Sequence, residues 1–247
     1  MVSRFYLDTE YTHGNYYLGD IFEIAILSER SGYIFHTYIK IHHKLPSYVQ
    51  RLCNITDNIL EMKCQPFCEV MDDVVEFINH ESRDDNNSVV PIIIAHGGFL
   101  TDFPLLLVNC MKACYDYTRL AKYIFVDSMK MLQDKGYEKP GLDSFSTSLT
   151  IERRHSAIYD VKVLRDVVNK LLLQDIYTET QQHSYKLDDI LQYLKGKLPL
   201  SIQQLFELAD QATSQHTMEL ELYKHAAIKT ALNIRQIYKI AFYYYNL

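Results

Sequence analysis

The chain reads as an α/β protein: a mixed β-sheet with helices on its faces, followed by a helical C-terminal extension. Three observations predict this class. Residues 3–41 alternate like an antiparallel meander. Residues 89–95 and 123–127 are short continuous apolar runs, the pattern of strands buried on both faces. The stretches around them carry apolar residues at helical spacing, as expected where hairpin and βα units share one sheet.

The elements follow in order. Residues 3–9 form a strand that ends in charge. Residues 20–28 and 33–41 are rich in β-branched side chains, and Gly32 marks the turn between them. A helical stretch begins at Pro46, and Thr56 suits the N-cap of a short helix through Leu60. Val70, Val74, Phe77 and Ile78 recur at helical spacing within residues 69–80. A polar loop over 81–88 leads to the first buried strand, which Gly97 and Gly98 break before a helix over about 101–115. After the second buried strand, Pro140 and Gly141 mark a turn, and a long helix runs from about 157 to 173. Beyond about Gln181 the pattern is helical over roughly 186–195, 201–213 and 217–244, with Leu205, Ala209 and Ala212 reading as core positions of the second segment. The boundary falls at 178/179, giving a domain over 1–178 and a helical extension over 179–247.

The 247 residues suffice for a sizeable core without staples. The net charge of −6 provides no global basic field, which counts against a protein that coats nucleic acid. It does not count against an enzyme whose positive charge is bound metal. Five cysteines in no disulfide-framework pattern suggest a reducing compartment. Cys64 and Cys68, like Cys110 and Cys114, are four apart; buried core thiols explain them better than zinc, because paired CxxC knuckles are missing. The N-terminus lacks the pattern of a signal peptide and no apolar stretch reaches membrane-spanning length, so the expectation is an intracellular protein, cytoplasmic or nuclear, with no membrane partner.

Four carboxylates stand out. Asp8 and Glu10, two apart on a strand, point to one side. Two anions held that close repel unless a cation lies between them. Asp102 follows a buried strand, a glycine break and the start of a helix, where glycines allow close backbone approach. Asp160 lies early in the long helix. His155 is five residues earlier, about 140° round a helix, so the two share a face only if His155 sits on the preceding loop. A loop histidine is suited to take a proton near neutral pH. Singly, each has a more ordinary explanation: a solvated strand end, a helix cap, a surface histidine. Together, four hard oxygen ligands from three segments favour Mg²⁺ or Mn²⁺, and two such ions can drive phosphodiester hydrolysis.

These motifs resemble the DEDDh 3′→5′ exonucleases, the DnaQ-like branch of the ribonuclease H-like superfamily. The resemblance is carried by Asp8-Thr9-Glu10 after a short apolar strand, by Asp20 to Ala25, and by His155, Ala157 and Asp160. The segment from Ala95 to Gly98 and on through Asp102 to Leu106 is most similar to the three-prime repair (TREX-type) exonucleases. Gly97 stands where relatives usually carry Asn, and Tyr11 to Gly14 depart from the commoner pattern.

The resemblance covers about residues 3–173. It implies a mixed five-stranded sheet with flanking helices and two Mg²⁺ or Mn²⁺ ions held by Asp8, Glu10, Asp102 and Asp160. It implies His155 as general base and the backbone near Thr9 and Tyr11 against the terminal nucleotide. Ile55 is expected on the base and His96 beside the substrate. The implied reaction removes 5′-mononucleotides from free 3′ ends, DNA favoured, single-stranded or frayed. RNA 3′-end trimming and an inactive nucleic-acid-binding module are the competing readings. Arg153 and Arg154, and less so Lys112, Arg119 and Lys122, are candidates to hold the strand. The C-terminal helices are a candidate surface for a second copy or a protein partner.

Overall fold

The computed structural model describes residues 3–14, 19–84, 87–138, 140–145, 155–172 and 183–197. The expected helices over 201–213 and 217–244, Leu205, Ala209, Ala212, Arg153 and Arg154 lie outside these residues.

Three antiparallel strands open the chain: β1 (Ser3–Tyr11), β2 (Ile21–Ser28) and β3 (Ile34–Ile39). Two short helices, α1 (Ser47–Cys53) and α2 (Asp57–Lys63), precede a two-residue strand β4 (Cys64–Gln65) and the long helix α3 (Phe67–Glu81). The polar loop holds a small ribbon, β5 (Arg83–Asp84) with β6 (Asn87–Ser88). Then follow β7 (Pro91–Ala95), α4 (Asp102–Lys112), β8 (Ile124–Asp127), α5 (Ser128–Asp134) and α6 (Ala157–Val167). Alpha-helix α6 runs on as one π-helical turn over Val168–Leu172. The strand β9 (Ser184–Tyr185) and helix α7 (Leu187–Lys197) end the described chain.

The main sheet has the order β4-β3-β2-β1-β7-β8-β9. Its five longer strands are those expected; β4 and β9 add two residues at either edge. Strand β1 is central, antiparallel to β2 and parallel to β7. Alternation along the strands divides the core. Phe5, Leu7, Ile24, Ile26 and Ile93 face α3, α4 and α7, whereas Tyr6, Ala25, Leu27, Ile92 and Ile94 face α5 and α6.

Leu187, Ile190 and Leu194 of α7 belong to the first of these cores, and β9 pairs with β8. Residues 184–197, read from sequence as part of the extension, thus pack into the sheet domain. The strand at Ser184–Tyr185 escapes notice in the sequence because two residues carry no periodicity. No helix among the described residues is long and apolar enough to cross a membrane.

The pairing of β1 with β7 runs from Ser3 opposite Pro91 to Tyr6 opposite Ile94 and then stops. Asp8 and Glu10 lie beyond the end of their parallel neighbour, where the sheet opens into a crevice at its carboxyl edge.

Candidate active site

Strand parity assigns each β1 side chain to a flank. Tyr6 belongs to the α6 core, so Asp8 and Glu10, two and four residues on, emerge on the α6 side. Asp160, in the first turn of α6, meets them there. One ligand oxygen from each of Asp8, Glu10 and Asp160 lies within 4.8 Å of the others, a spacing one cation can bridge. The helix N-terminus adds positive potential beneath Asp160.

Thr9 has the opposite parity and faces α4. Its backbone N–H donates to Asp102 Oδ1 at 3.1 Å and its hydroxyl to the same oxygen at 2.7 Å. Thr101 Oγ1 lies 2.9 Å from Asp102 Oδ2 and 2.9 Å from Gly97 O. Asp102 therefore reaches the crevice from the other flank, held by donors from Thr9 and Thr101 while its charge bears on Asp8.

Electrostatics differ accordingly. Burial first, then the charges of Asp102, Glu10, Asp160 and Glu23, push the Asp8 carboxyl well above its ordinary pKa. Burial, Glu23 and Asp160 raise Glu10 to about 8, against a small lowering by the Cys53 thiol. Burial raises Asp102 to about 6, and the donors on Thr9 and Thr101 restrain that rise. Such a cluster of hard oxygens is unfavourable as free anions and suits a divalent cation.

His155 sits where the sequence spacing requires, before α6 rather than within it. Its backbone is left-handed, with φ 59°, a conformation found at functional sites when a non-glycine residue adopts it. It lines the same cleft as Asp8, Thr9, Glu10, Tyr11, His96, Thr101, Asp102 and Asp160. His96 Nδ1 lies 3.0 Å from Ser128 Oγ, and burial lowers the pKa of its ring.

The loop between β7 and α4 is tied by Asp127, which is fully buried. Its carboxylate accepts from the backbone N–H groups of Gly97, Phe99, Met129 and Lys130. It caps α5 and fixes the turn that carries Asp102 in one interaction set. The glycines there serve packing: a Cβ on Gly98 would sit 2.6 Å from Ala95 Cβ and 2.7 Å from the Phe103 ring, while Gly97 has φ +70°.

Ile55, expected on the base, is 4 % exposed and packs with Phe22, Leu45, Val49 and Leu60; of these Val49 lines the cleft. Asn54 ends α1 in a left-handed conformation, and the Ile55 N–H returns to Gln50 O at 3.1 Å, tucking Ile55 beneath the helix. The apolar cleft wall is instead Tyr48 and Leu52, 51 % and 49 % exposed. Their i, i+4 spacing was readable from sequence as one helix face; that this face borders the carboxylates was not.

The remaining basic candidates are engaged elsewhere. Lys112 Nζ contacts Gly19 O and Asp20 Oδ1, each at 2.7 Å, Arg119 pairs with Asp72, and Lys122 bonds Asn79. All five cysteines are free thiols, and among the described residues Asp8, Glu10 and Asp160 form the one metal-sized ligand group.

Comparison with known proteins agrees with this architecture. Two solved structures of Escherichia coli exonuclease I share the fold. One is the zinc-bound single-stranded DNA complex, with TM-score 0.56 and 12% identity, covering 70% of this chain and 42% of that one. The other is the complex with a dA16 oligonucleotide, with TM-score 0.58 and 12% identity, covering 73% and 43%. The chain thus spans less than half the length of exonuclease I in either structure. No curated protein sequence matches. The RNase T exonuclease family matches residues 5–168, which carry every cleft carboxylate named above, and the chain belongs to that family.

Proposed function

We propose that the protein is a two-metal-dependent 3′→5′ exonuclease that releases 5′-mononucleotides from single-stranded or frayed DNA ends. The observation that carries this reading is the convergence of Asp8, Glu10 and Asp160 within 4.8 Å, with Asp102 and His155 on the same cleft. The donor set fits Mg²⁺ or Mn²⁺, with Asp8, Glu10, Asp160 and Asp102 as ligands. Two bound cations supply Lewis-acid polarisation of the phosphate and a lowered pKa for water.

The chain's own groups do the rest. His155 accepts the proton of the attacking water. The water oxygen bonds to phosphorus and the P–O3′ bond breaks. The leaving 3′ oxygen takes a proton on the shortened strand, and the freed nucleotide keeps its 5′-phosphate. The Thr9–Tyr11 backbone and His96 orient the end nucleotide, and Tyr48 and Leu52 offer its base an apolar wall. The cleft encloses about 380 Å³, suited to one nucleotide unit rather than a duplex. The single-stranded DNA in both exonuclease I complexes supports the choice of polymer.

The test incubates the protein with 5′-end-labelled single- and double-stranded DNA and RNA, with Mg²⁺, Mn²⁺ or EDTA. Metal-dependent ladders shortening from the 3′ end of single-stranded DNA are expected. A preference for RNA moves the protein to 3′-end trimming, and retention of label with no shortening leaves a binding module.

A further inference from the structure

Glu23 is a fifth carboxylate beside the site, and the mechanism above does not use it. It is 2 % exposed and stands opposite Glu10 in the β1–β2 register. Like charges directly opposite on a sheet are unfavourable, so its presence calls for a gain elsewhere.

Its hydrogen bonds show where. Glu23 Oε1 lies 2.8 Å from His36 Nε2 and accepts from Ser156 Oγ at 3.2 Å. Ser156 is the N-cap residue of α6, yet its side chain makes no capping bond to its own helix. A serine there ordinarily satisfies one of the free N–H groups of the first turn. This hydroxyl is turned across to β2 instead. The residue before it, His155, holds a left-handed backbone. Three locally unfavourable features therefore meet at one contact: a like-charge pair, a forgone cap and a strained histidine. Local rules broken together mark a site where geometry serves something beyond stability.

We propose that Glu23 is a positioning residue: through Ser156 Oγ it locks the His155–Ser156 turn to the central sheet, so that the His155 ring is presented to the cleft. Glu23 acts through this contact and touches no reacting atom. The inference rests on the reading of His155 as general base.

The test uses the whole chain and single-stranded DNA in Mn²⁺, with kcat, KM, Mn²⁺ affinity by calorimetry and thermal melting measured for each variant. Glu23→Ala and Ser156→Ala are each expected to lower kcat on the order of tenfold or more, because displacement of a catalytic group by an ångström has effects of that size. KM and Mn²⁺ affinity should stay within about twofold, and the double variant should fall no further than the worse single one. Glu23→Gln keeps the accepting oxygen, and Ser156→Thr the hydroxyl; each should recover most of the lost rate.

Unchanged kcat in Ser156→Ala, losses that multiply in the double variant, or a Mn²⁺ affinity that collapses in Glu23→Ala each overturn the proposal. Ser156→Ala removes one half-buried hydroxyl, so it remains decisive if Glu23→Ala fails to fold. His155→Ala separates the two readings. If it retains full rate, the base assignment falls and takes this inference with it. If it loses rate while Glu23→Ala and Ser156→Ala do not, this inference alone falls.

Discussion

The two flanks of the cleft hold their carboxylates in opposite ways. On the α4 side, Asp102 is surrounded by donors from Thr9 and Thr101, and Asp127 behind it accepts four backbone N–H groups. On the α6 side, Asp8, Glu10 and Asp160 converge, with Glu23 buried close by. One flank braces its carboxylates with hydrogen-bond donors, although burial still raises Asp102 to about 6. The other is a concentration of negative charge that only a cation balances. Asp102 is thus the braced carboxylate of the cleft, while the α6 group is the one whose negative charge has the fewest donors to offset it.

The sharpest way to break this contrast is to remove one anion from the crowded flank. Asp160→Asn should lower nuclease activity on the order of 10³-fold, the scale of losing a principal electrostatic group from an active site. The same change should raise the melting temperature of the metal-free protein, because it relieves repulsion. Activity assays and thermal melts in EDTA check both; a melting temperature that falls would show the flank is not strained. On the donor-rich flank, Asp127→Ala should act in the reverse sense. It leaves buried N–H groups unmet and should destabilise the fold by about 3 kcal/mol, read by denaturant unfolding.

Ile55→Ala should cost about 2–4 kcal/mol of stability with kcat little altered. Tyr48→Ala or Leu52→Ala should leave stability nearly unchanged and raise KM roughly tenfold, the scale of losing one base contact. Steady-state kinetics and melts on the same samples distinguish the two sets.

The smallest effect is a slope. Glu10 has a folded pKa of about 8 and Asp102 of about 6, both above their unfolded values. Between roughly pH 4 and 8 the folded state thus binds more protons than the unfolded chain, so metal-free stability should decline as pH rises through that window. Saturating Mn²⁺ should flatten the decline, since it binds the deprotonated form. Melting temperature against pH, with and without Mn²⁺, measures it.

How much of this was legible beforehand depends on the range of the interaction. Asp8 and Glu10 were visible because a strand's period of two is local. The loop position of His155 followed from its five-residue spacing to Asp160, again a local argument. Strands β7 and β8 announced themselves as apolar runs. What escaped depends on contacts distant in sequence. Asp127 matters through its bonds to Gly97 and Phe99, some thirty residues earlier. Glu23 matters through Ser156, 133 residues later. The burial of Ile55 follows the left-handed turn at Asn54, and an asparagine there does not announce that on its own. The separation of Asp102 from the other three carboxylates came from the opposite parities of Thr9 and Asp8, which mean nothing until α4 and α6 are on opposite faces.

Under the proposed function, exonuclease activity depends on metal held by Asp8, Glu10 and Asp160 together with Asp102. The most direct test is calorimetric titration of Mn²⁺ into wild-type and Asp160→Asn protein, paired with 3′-end shortening of labelled single-stranded DNA by the same samples. Wild-type protein is expected to bind Mn²⁺ and to degrade the strand only when Mn²⁺ is present, and Asp160→Asn to lose both together. Strand shortening that persists in EDTA, or an Asp160→Asn protein that still binds Mn²⁺ and cuts at the wild-type rate, would contradict it.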